Sequence, residues 1–426
     1  MLVCVQGLGY IGLPTAAMLA LGGHGVYGYD VNTAVLDALA NGASNVKEES
    51  VRALVRRALE SGNLTLCDRL PHAEAYIVCV PTPTVGHRPD LHFVAEAVRA
   101  LAPHLAPAGL LVLESTVPPG TVERVVATTL RAAGRNPDEL AIAHCPERVI
   151  PGAIVRELTE NDRVIGGRRP GDAERAGELY SSFCRGRIHY TDALTAELVK
   201  VVENTYRDVN IAFANELALL SEELGVDAHE VISLANNHPR VSILRPGPGV
   251  GGHCIPVDPH FLSNANPFVT ELIQAARRIN ERMPHVIQRR IAEHVPLGSG
   301  ATIALLGASY KANVDDTRES PTTRVVELLE ESGYTVRVYD PVAGSYVRPL
   351  CDSLESAAAG ADALVLLTPH DCFEGIDPEA VGRLMRRRVL IDAHAFFDRD
   401  VWRLAGFAVY ALGTRGTPLV GEEIAV

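Results

Sequence analysis

Met1-Leu2-Val3-Cys4-Val5-Gln6-Gly7-Leu8-Gly9-Tyr10-Ile11-Gly12 opens the chain, and the rest of the fold is read outward from it. An apolar run reads as a buried strand and passes directly into G-x-G-x-x-G, after which a helix is expected from about Leu13. Gly7 permits a tight turn, Gly9 lets backbone approach a pyrophosphate, and Gly12 lets the helix pack on the sheet. The helix N-terminus supplies N–H donors to an anion. Such a turn alone can also be a bare βα connection. Here a second strand, Gly25 to Tyr29, ends on Asp30, placed to accept from both hydroxyls of an adenosine ribose. With no Arg after Asp30 to hold a 2′-phosphate, the expected cofactor is NAD rather than NADP. Tyr10 and Ile11, inside the glycine motif, join Gly7, Gly9, Gly12 and Asp30 as expected cofactor contacts.

Beyond this turn, apolar runs at Ala75–Val80, Leu110–Glu114 and Glu139–His144 alternate with helical stretches, the signature of a parallel sheet covered by helices. From Asp192 to Leu224 apolar residues recur at helical spacing without Pro or Gly, which predicts one long helix. A second helical run, from Pro267 to Arg290, is expected to be interrupted at Pro284. Strand runs return at Ala301–Leu306, Thr335–Tyr339, Ala363–Leu367 and Arg388–Ile391, with a helix at Thr322–Ser332. The halves echo each other: strand, Gly7, helix, strand, Asp30, then strand, Gly307, helix, strand, Asp340. The expected fold is α/β, two Rossmann-like parallel-sheet domains joined by a long-helix central region. The expected segments are a cofactor domain (1–190), a central helical domain carrying a Cys loop (191–295) and a second Rossmann-like domain (296–426).

Bulk properties exclude several classes. At 426 residues the chain is long enough for two or three cores, and 47% hydrophobic with 21% charged residues is ordinary globular composition. A net charge of −13 argues against nucleic acid, whose binding needs a basic surface. No apolar run reaches the roughly 18 residues of a membrane span, and the first residues lack the basic start of a signal peptide. The eight cysteines include no C-x-x-C pair, so no metal site or disulfide framework is expected, and the cytoplasm is the expected compartment.

Two loops at strand ends carry hydroxyls suited to the nicotinamide half of a dinucleotide: Val80-Pro81-Thr82-Pro83-Thr84, and Glu114-Ser115-Thr116-Val117-Pro118-Pro119-Gly120. The sharpest chemical signal is Gly247-Pro248-Gly249-Val250-Gly251-Gly252-His253-Cys254-Ile255-Pro256-Val257-Asp258. Glycines around one Cys admit a ligand closely, and a thiolate there is a nucleophile for an aldehyde. A flexible loop around a structural Cys is the competing reading.

These pieces, with Cys145-Pro146-Glu147-Arg148, Glu197-x-x-Lys200-x-x-x-Asn204 and Asp316-Thr317-Arg318-Glu319-Ser320-Pro321, resemble the UDP-glucose/GDP-mannose dehydrogenase family over nearly the whole chain. Within it, His144 to Gly152 and Asn161 to Gly167 are most similar to the UDP-N-acetylmannosamine dehydrogenases, with the UDP-N-acetylglucosamine enzymes close behind. The resemblance implies four-electron oxidation of a sugar alcohol to a carboxylate, with a role in polysaccharide biosynthesis. Cys254 would form a thiohemiacetal and then a thioester. Lys200 would stabilise the oxyanion, Asp258 or Glu147 would manage protons, and Asn204 and Thr116 would complete the catalytic set. Around the nucleotide sugar it implies Arg148, Val149, Lys200, Asn204, Arg207, His238, Arg240, Gly251, Tyr310 and Lys311. Near NAD it adds Pro81, Thr82, Ser115, Thr116 and Arg318. One departure is visible: many relatives carry Asp-x-Arg after the last strand, where this chain has Asp392-Ala393-His394. Two other readings stay open, a two-electron β-hydroxyacid-type dehydrogenase and a binding protein without turnover. The apolar surplus on the long helix also predicts a homodimer.

Overall fold

β1 (Leu2–Gln6) is buried along almost its whole length, as a central parallel strand must be when helices cover both faces of its sheet. A computed structural model describes residues 1–43, 46, 48–150, 152–296 and 300–414; Pro151 and the last twelve residues of the expected third segment lie outside them. The first sheet adds β2 (Gly25–Tyr29), β3 (Leu64–Cys67), β4 (Ala75–Val78), β7 (Leu110–Leu113), β8 (Ala141–His144), β9 (Arg163–Gly167) and β10 (Ile188–Asp192). A two-residue hairpin, β5 (Thr84–Val85) and β6 (Arg88–Pro89), stands apart from it. The order is β10-β9-β8-β7-β4-β1-β2-β3, so the strand order reverses between β1 and β4. Ligands of open α/β sheets bind at such a reversal. Strand alternation sorts the core into two layers. Val3, Val5, Ile77 and Val112 face one cluster, while Cys4, Tyr76, Val78, Leu111 and Leu113 face the other.

The second sheet, β11 (Thr302–Leu306), β12 (Thr335–Tyr339), β13 (Ala363–Leu366), β14 (Val389–Asp392) and β15 (Ala408–Ala411), is wholly parallel in the order β12-β11-β13-β14-β15. Its strands sort in the same way, Ile303, Leu305, Val365 and Ile391 to one side and Ala304, Leu306, Leu364 and Leu390 to the other. The fold is therefore α/β with two Rossmann-like parallel sheets joined by a long central helix, Ala193–Leu224. The chain divides into two compact units, residues 1–203 with 260–267, and 204–259 with 268 onward. The long helix passes from one to the other.

Three differences from the sequence reading have physical causes. β9 escapes propensity because it ends in Gly166 and Gly167, whose missing Cβ atoms leave room for the Asp192 carbonyl and the Ala173 amide. It also pairs antiparallel with β8, in a sheet otherwise parallel. The second expected helix begins only at Glu271 and continues unbroken through Pro284 to His294, preceded by a separate helix at Asp258–Ala265. Proline cannot donate to the carbonyl four residues earlier. That carbonyl, on Asn280, faces Gly249, where an added Cβ would stand 3.2 Å from it and 3.5 Å from the Pro284 ring. The proline and the glycine loop are thus packed together.

Candidate active site

The glycine turn of the first unit leaves space where a ligand must come. Gly7 has φ +96°, and a Cβ there would collide with the Cys79 carbonyl; a Cβ on Gly12 would collide with the Gly7 carbonyl. Gly9, by contrast, has nothing within 4 Å of that position. The helix that follows, Gly12–Leu21, receives no side-chain cap from Ile11. Asp30 accepts from Leu8 N at 2.8 Å and Asn32 N at 2.9 Å, one bond to each oxygen, leaving lone pairs on both. An open cradle of backbone with an acid at the second strand end fits an adenosine pyrophosphate.

The two hydroxyl loops are sewn together at the ends of β4 and β7. Ser115 Oγ donates to Val80 O at 2.8 Å, and Thr82 Oγ1 donates to Thr116 O at 2.7 Å. Their hydroxyl protons therefore hold the loops in register, and the oxygens keep acceptor capacity. Glu197, fully buried on the long helix, fixes the far end of the second loop by accepting from Gly120 N and, at 2.7 Å, from Val122 N. Burial outweighs these bonds and pushes its carboxyl up to about 7.

One turn on, Lys200 is 5% exposed and donates to Glu147 Oε1 at 3.0 Å. The other Glu147 oxygen accepts from Val149 N at 2.9 Å, so the acid is held by its own loop. His144, at the end of β8, is enclosed with neither ring nitrogen hydrogen-bonded, and burial lowers it to about 3. Arg148 gives its guanidinium to Glu203, 2.6 Å at the closest, and to the Asp162 carbonyl at 2.7 Å. Its expected anion-binding role thus competes with a clamp joining two motifs, which Asn161 completes by donating to Arg148 O at 3.0 Å.

In the second unit Cys254 stands just before the Asp258–Ala265 helix, its carbonyl accepting from Val257 N and Asp258 N. Its sulfur lies 3.1 Å from His253 Nδ1. Asp258 is buried and accepts from Asn204 Nδ2 at 2.6 Å, so these two expected residues do meet. The glycines are required by close packing. A Cβ on Gly251 would stand 2.7 Å from the Glu319 carbonyl and 2.8 Å from Tyr310 Cβ, and one on Gly252 would stand 2.9 Å from the Tyr310 ring. Arg318, expected near cofactor, grips Asp316 with both Nε (2.9 Å) and Nη2 (2.5 Å). His238 and Arg240 lean on each other at 3.5 Å, Arg207 is half-buried, and Lys311 is exposed. His394 bonds the Leu367 carbonyl at 3.1 Å, and burial lowers it to about 4, so it is neutral at pH 7. A Cβ on Gly247 would be 2.9 Å from its ring, which makes His394 a packing residue at the root of the glycine loop.

Family models for the UDP-glucose/GDP-mannose dehydrogenases match the chain in order. The NAD binding domain matches residues 1–184, the central domain 194–282 and the UDP binding domain 304–399. The chain belongs to the UDP-glucose/GDP-mannose dehydrogenase family. It is an oxidoreductase that uses NAD to oxidise a nucleotide sugar. It is 43% identical over 418 residues to the UDP-N-acetyl-D-mannosamine dehydrogenase of Methanocaldococcus jannaschii, covering 96% of each chain. With the NDP-N-acetyl-D-galactosaminuronic acid dehydrogenase of Ralstonia nicotianae it shares 42% over 421 residues, covering 94% of this chain and 96% of that one. Among solved structures it is similar to the UDP-D-ManNAc dehydrogenase of Pyrococcus horikoshii, with TM-score 0.91 and 42% identity over 97% of this chain and 99% of that one. Three features of this dehydrogenase were quoted within motifs but given no role from sequence: Glu197, His144 and His253. Burial and partners single them out, and residue type does not.

Proposed function

We propose that the dehydrogenase oxidises the C6 alcohol of UDP-N-acetyl-D-mannosamine to the uronate, by way of a thiohemiacetal and a thioester on Cys254. The observation that carries the sugar is the match along 96% of the chain to a protein of that activity. NAD, which the Gly7, Gly9 and Gly12 turn and Asp30 would hold, would supply the hydride acceptor for both oxidations. In the first, the alcohol also gives up a proton, through water to the Asp258 or Glu147 carboxylate and on to solvent, and the Lys200 ammonium offsets the charge developing on its oxygen. Cys254 then adds to the aldehyde carbon. The thiohemiacetal loses a second hydride, its hydroxyl proton leaves through water by the same carboxylates, and water cleaves the resulting thioester to carboxylate and thiol. Asp258, oriented by Asn204, or Glu147 takes the proton of that water, and Thr116 belongs with the cofactor loop. Gly251 and Tyr310 with Arg207, His238, Arg240 and Lys311 serve the nucleotide sugar, and Val149 and Arg148 border it. The segments 1–190, 191–295 and 296–426 divide this work into cofactor, helical and sugar-nucleotide parts.

The same reading makes the protein a cytoplasmic homodimer. No helix among the described residues is long and apolar enough to cross a membrane, and the eight cysteines are free thiols. Supporting the dimer, Leu194, Leu198, Val202, Tyr206, Phe213, Leu220 and Leu224 are all exposed large apolar residues. At 100° per residue they fall on one stripe of the long helix.

Counting NADH tests the reaction and the sugar together. UDP-N-acetylmannosamine should give two NADH per sugar and the highest kcat/KM in a panel with UDP-N-acetylglucosamine, UDP-N-acetylgalactosamine, UDP-glucose and GDP-mannose. One NADH per sugar would mean a two-electron dehydrogenase, and none a binding protein. A better substrate elsewhere in the panel would replace the sugar, with the galactosamine sugar favoured next by the 42% relative.

A further inference from the structure

The Cys254 thiol has a specific neighbour that no step above uses. His253 Nδ1 lies 3.1 Å from Cys254 Sγ, although side chains adjacent in sequence commonly diverge. The loop geometry makes this approach possible. Gly251 and Gly252, the latter at φ +85°, press the backbone against Tyr310 and the Glu319 carbonyl, and Gly252 N donates to the Arg318 carbonyl at 3.2 Å. His253 itself is exposed to solvent, while Cys254 is half-buried.

We propose that His253 is the base that takes the thiol proton of Cys254, so that sulfur enters the reaction as a thiolate held beside an imidazolium. This rests on the covalent reading of Cys254 given above. In the step the Sγ–H bond breaks, an Nδ1–H bond forms, and the electron pair stays on sulfur. The proton returns to sulfur when thioester hydrolysis releases it.

Charges around the pair suit both ions. From residues 310–319, Asp316, Arg318 and Tyr310 face it, and on the loop's own helix Asp258 follows. Burial works against the Asp316 carboxylate, but the bonds from Arg318 and the charge of His253 hold it below the usual range. An acid that feels the imidazolium stabilises it in return. Arg318 is raised by its bonds to Asp316 against the cost of burial, and further by the charges of Tyr310 and Cys254. Burial, followed by the charges of Asp316 and Cys254, raises Tyr310 to about 12, so it stays neutral and adds no like charge beside the thiolate. The set amounts to thiol, imidazole, carboxylate and guanidinium in alternating sign.

Alkylation by iodoacetamide tests this without sugar or NAD, so a failure of the NADH assay leaves it standing or falling by itself. Rates at each cysteine are read by mass spectrometry of peptides from the intact enzyme, with exposed Cys372 as the internal reference. In the wild type at pH 7, Cys254 should react faster than Cys372. His253→Ala and His253→Asn should each slow Cys254 by about tenfold at pH 7, with the difference closing by about pH 9.5 as the thiol ionises unaided. Asn can accept a hydrogen bond but cannot hold the proton, so it separates a base from a structural prop. Cys372 should be unaffected, and thermal melts report folding. Wild-type Cys254 no faster than Cys372, equal rates at Cys254 in all three proteins, or full recovery in the Asn variant would each overturn the proposal. If the Ala variant does not fold, the wild-type ratio and the Asn variant decide.

Discussion

Glu197 shows how a residue with no chemistry of its own can govern a site. It accepts from Gly120 N and Val122 N, and sits three positions before Lys200 on the same helix, so it ties the loop that ends at Gly120 to the lysine's backbone. Its carboxyl is raised from 4.5 to about 7, chiefly by burial. A group whose folded pKa is raised adds stability that is complete below its unfolded pKa and is lost as pH climbs through the folded one. Stability from Glu197 should therefore fall between about pH 4.5 and 7. Glu197→Gln should flatten that part of the urea-midpoint profile. It should also cost about 1–3 kcal/mol, because the amide NH₂ cannot accept from the second backbone N–H. A profile of unchanged slope would mean that Glu197 is ionised throughout. Cys254 carries the other prediction at this scale. Cys254→Ser should allow the first hydride transfer and stall the second, since an alkoxide is a far poorer leaving group than a thiolate. At most about one NADH per enzyme-bound sugar should appear. Rapid release of two NADH with free carboxylate would remove the covalent route.

The long helix agrees with the sequence reading to within one residue, Asp192–Leu224 expected and Ala193–Leu224 found. Its polar positions turn inward in places. Asp208, fully buried, takes Arg277 at 2.5 Å and Asn280 at 2.8 Å from the Glu271–His294 helix, and Asn215 donates to Asn280 at 2.9 Å. With these groups fixing the helix pair, the apolar stripe on the other side is left exposed. A groove of about 880 Å³ beside it is lined by Phe213, Leu217, Leu220, Arg282, His285 and Arg289. A stripe of that length in water favours association with a second copy. Phe213→Asp with Leu220→Asp should convert the protein to monomer in light scattering at micromolar concentration. A wild type that is already monomeric there would refute the homodimer.

Across the whole molecule the two sheets carry the same local plan and use it differently. Gly307 has φ +95° where Gly7 has +96°, and Asp340 ends its second strand as Asp30 does. Asp340, however, is saturated. It accepts from Ala308 N, Ser309 N, Ser309 Oγ, Val342 N and Ala343 N, and contacts His370 Nε2 at 3.1 Å. No lone pair is left for a ribose. Hydrogen exchange should therefore show NAD protecting residues 7–12 and 80–84 while leaving 307–309 and 340–343 unchanged. Equal protection of both turns would mean that the second sheet also takes the dinucleotide.

The linear order of residues by itself determined the two α/β halves, the glycine turn with its acid, the long helix and the glycine-rich loop around Cys254. Each of these is local: periodicity over a strand or helix, glycines at fixed offsets, an acid at a strand end. Tertiary structure alone decided which of two similar acids stays open, that Glu197 and His253 have partners, and that His394 is neutral packing. It also decided that Pro284 does not stop its helix. The reason is physical: burial and hydrogen-bond partners come from segments distant in sequence, and they set the ionisation and reach of a side chain, which its identity does not. Gly249 and Pro284 are 35 positions apart in the chain, and only packing shows that the one makes room for the other.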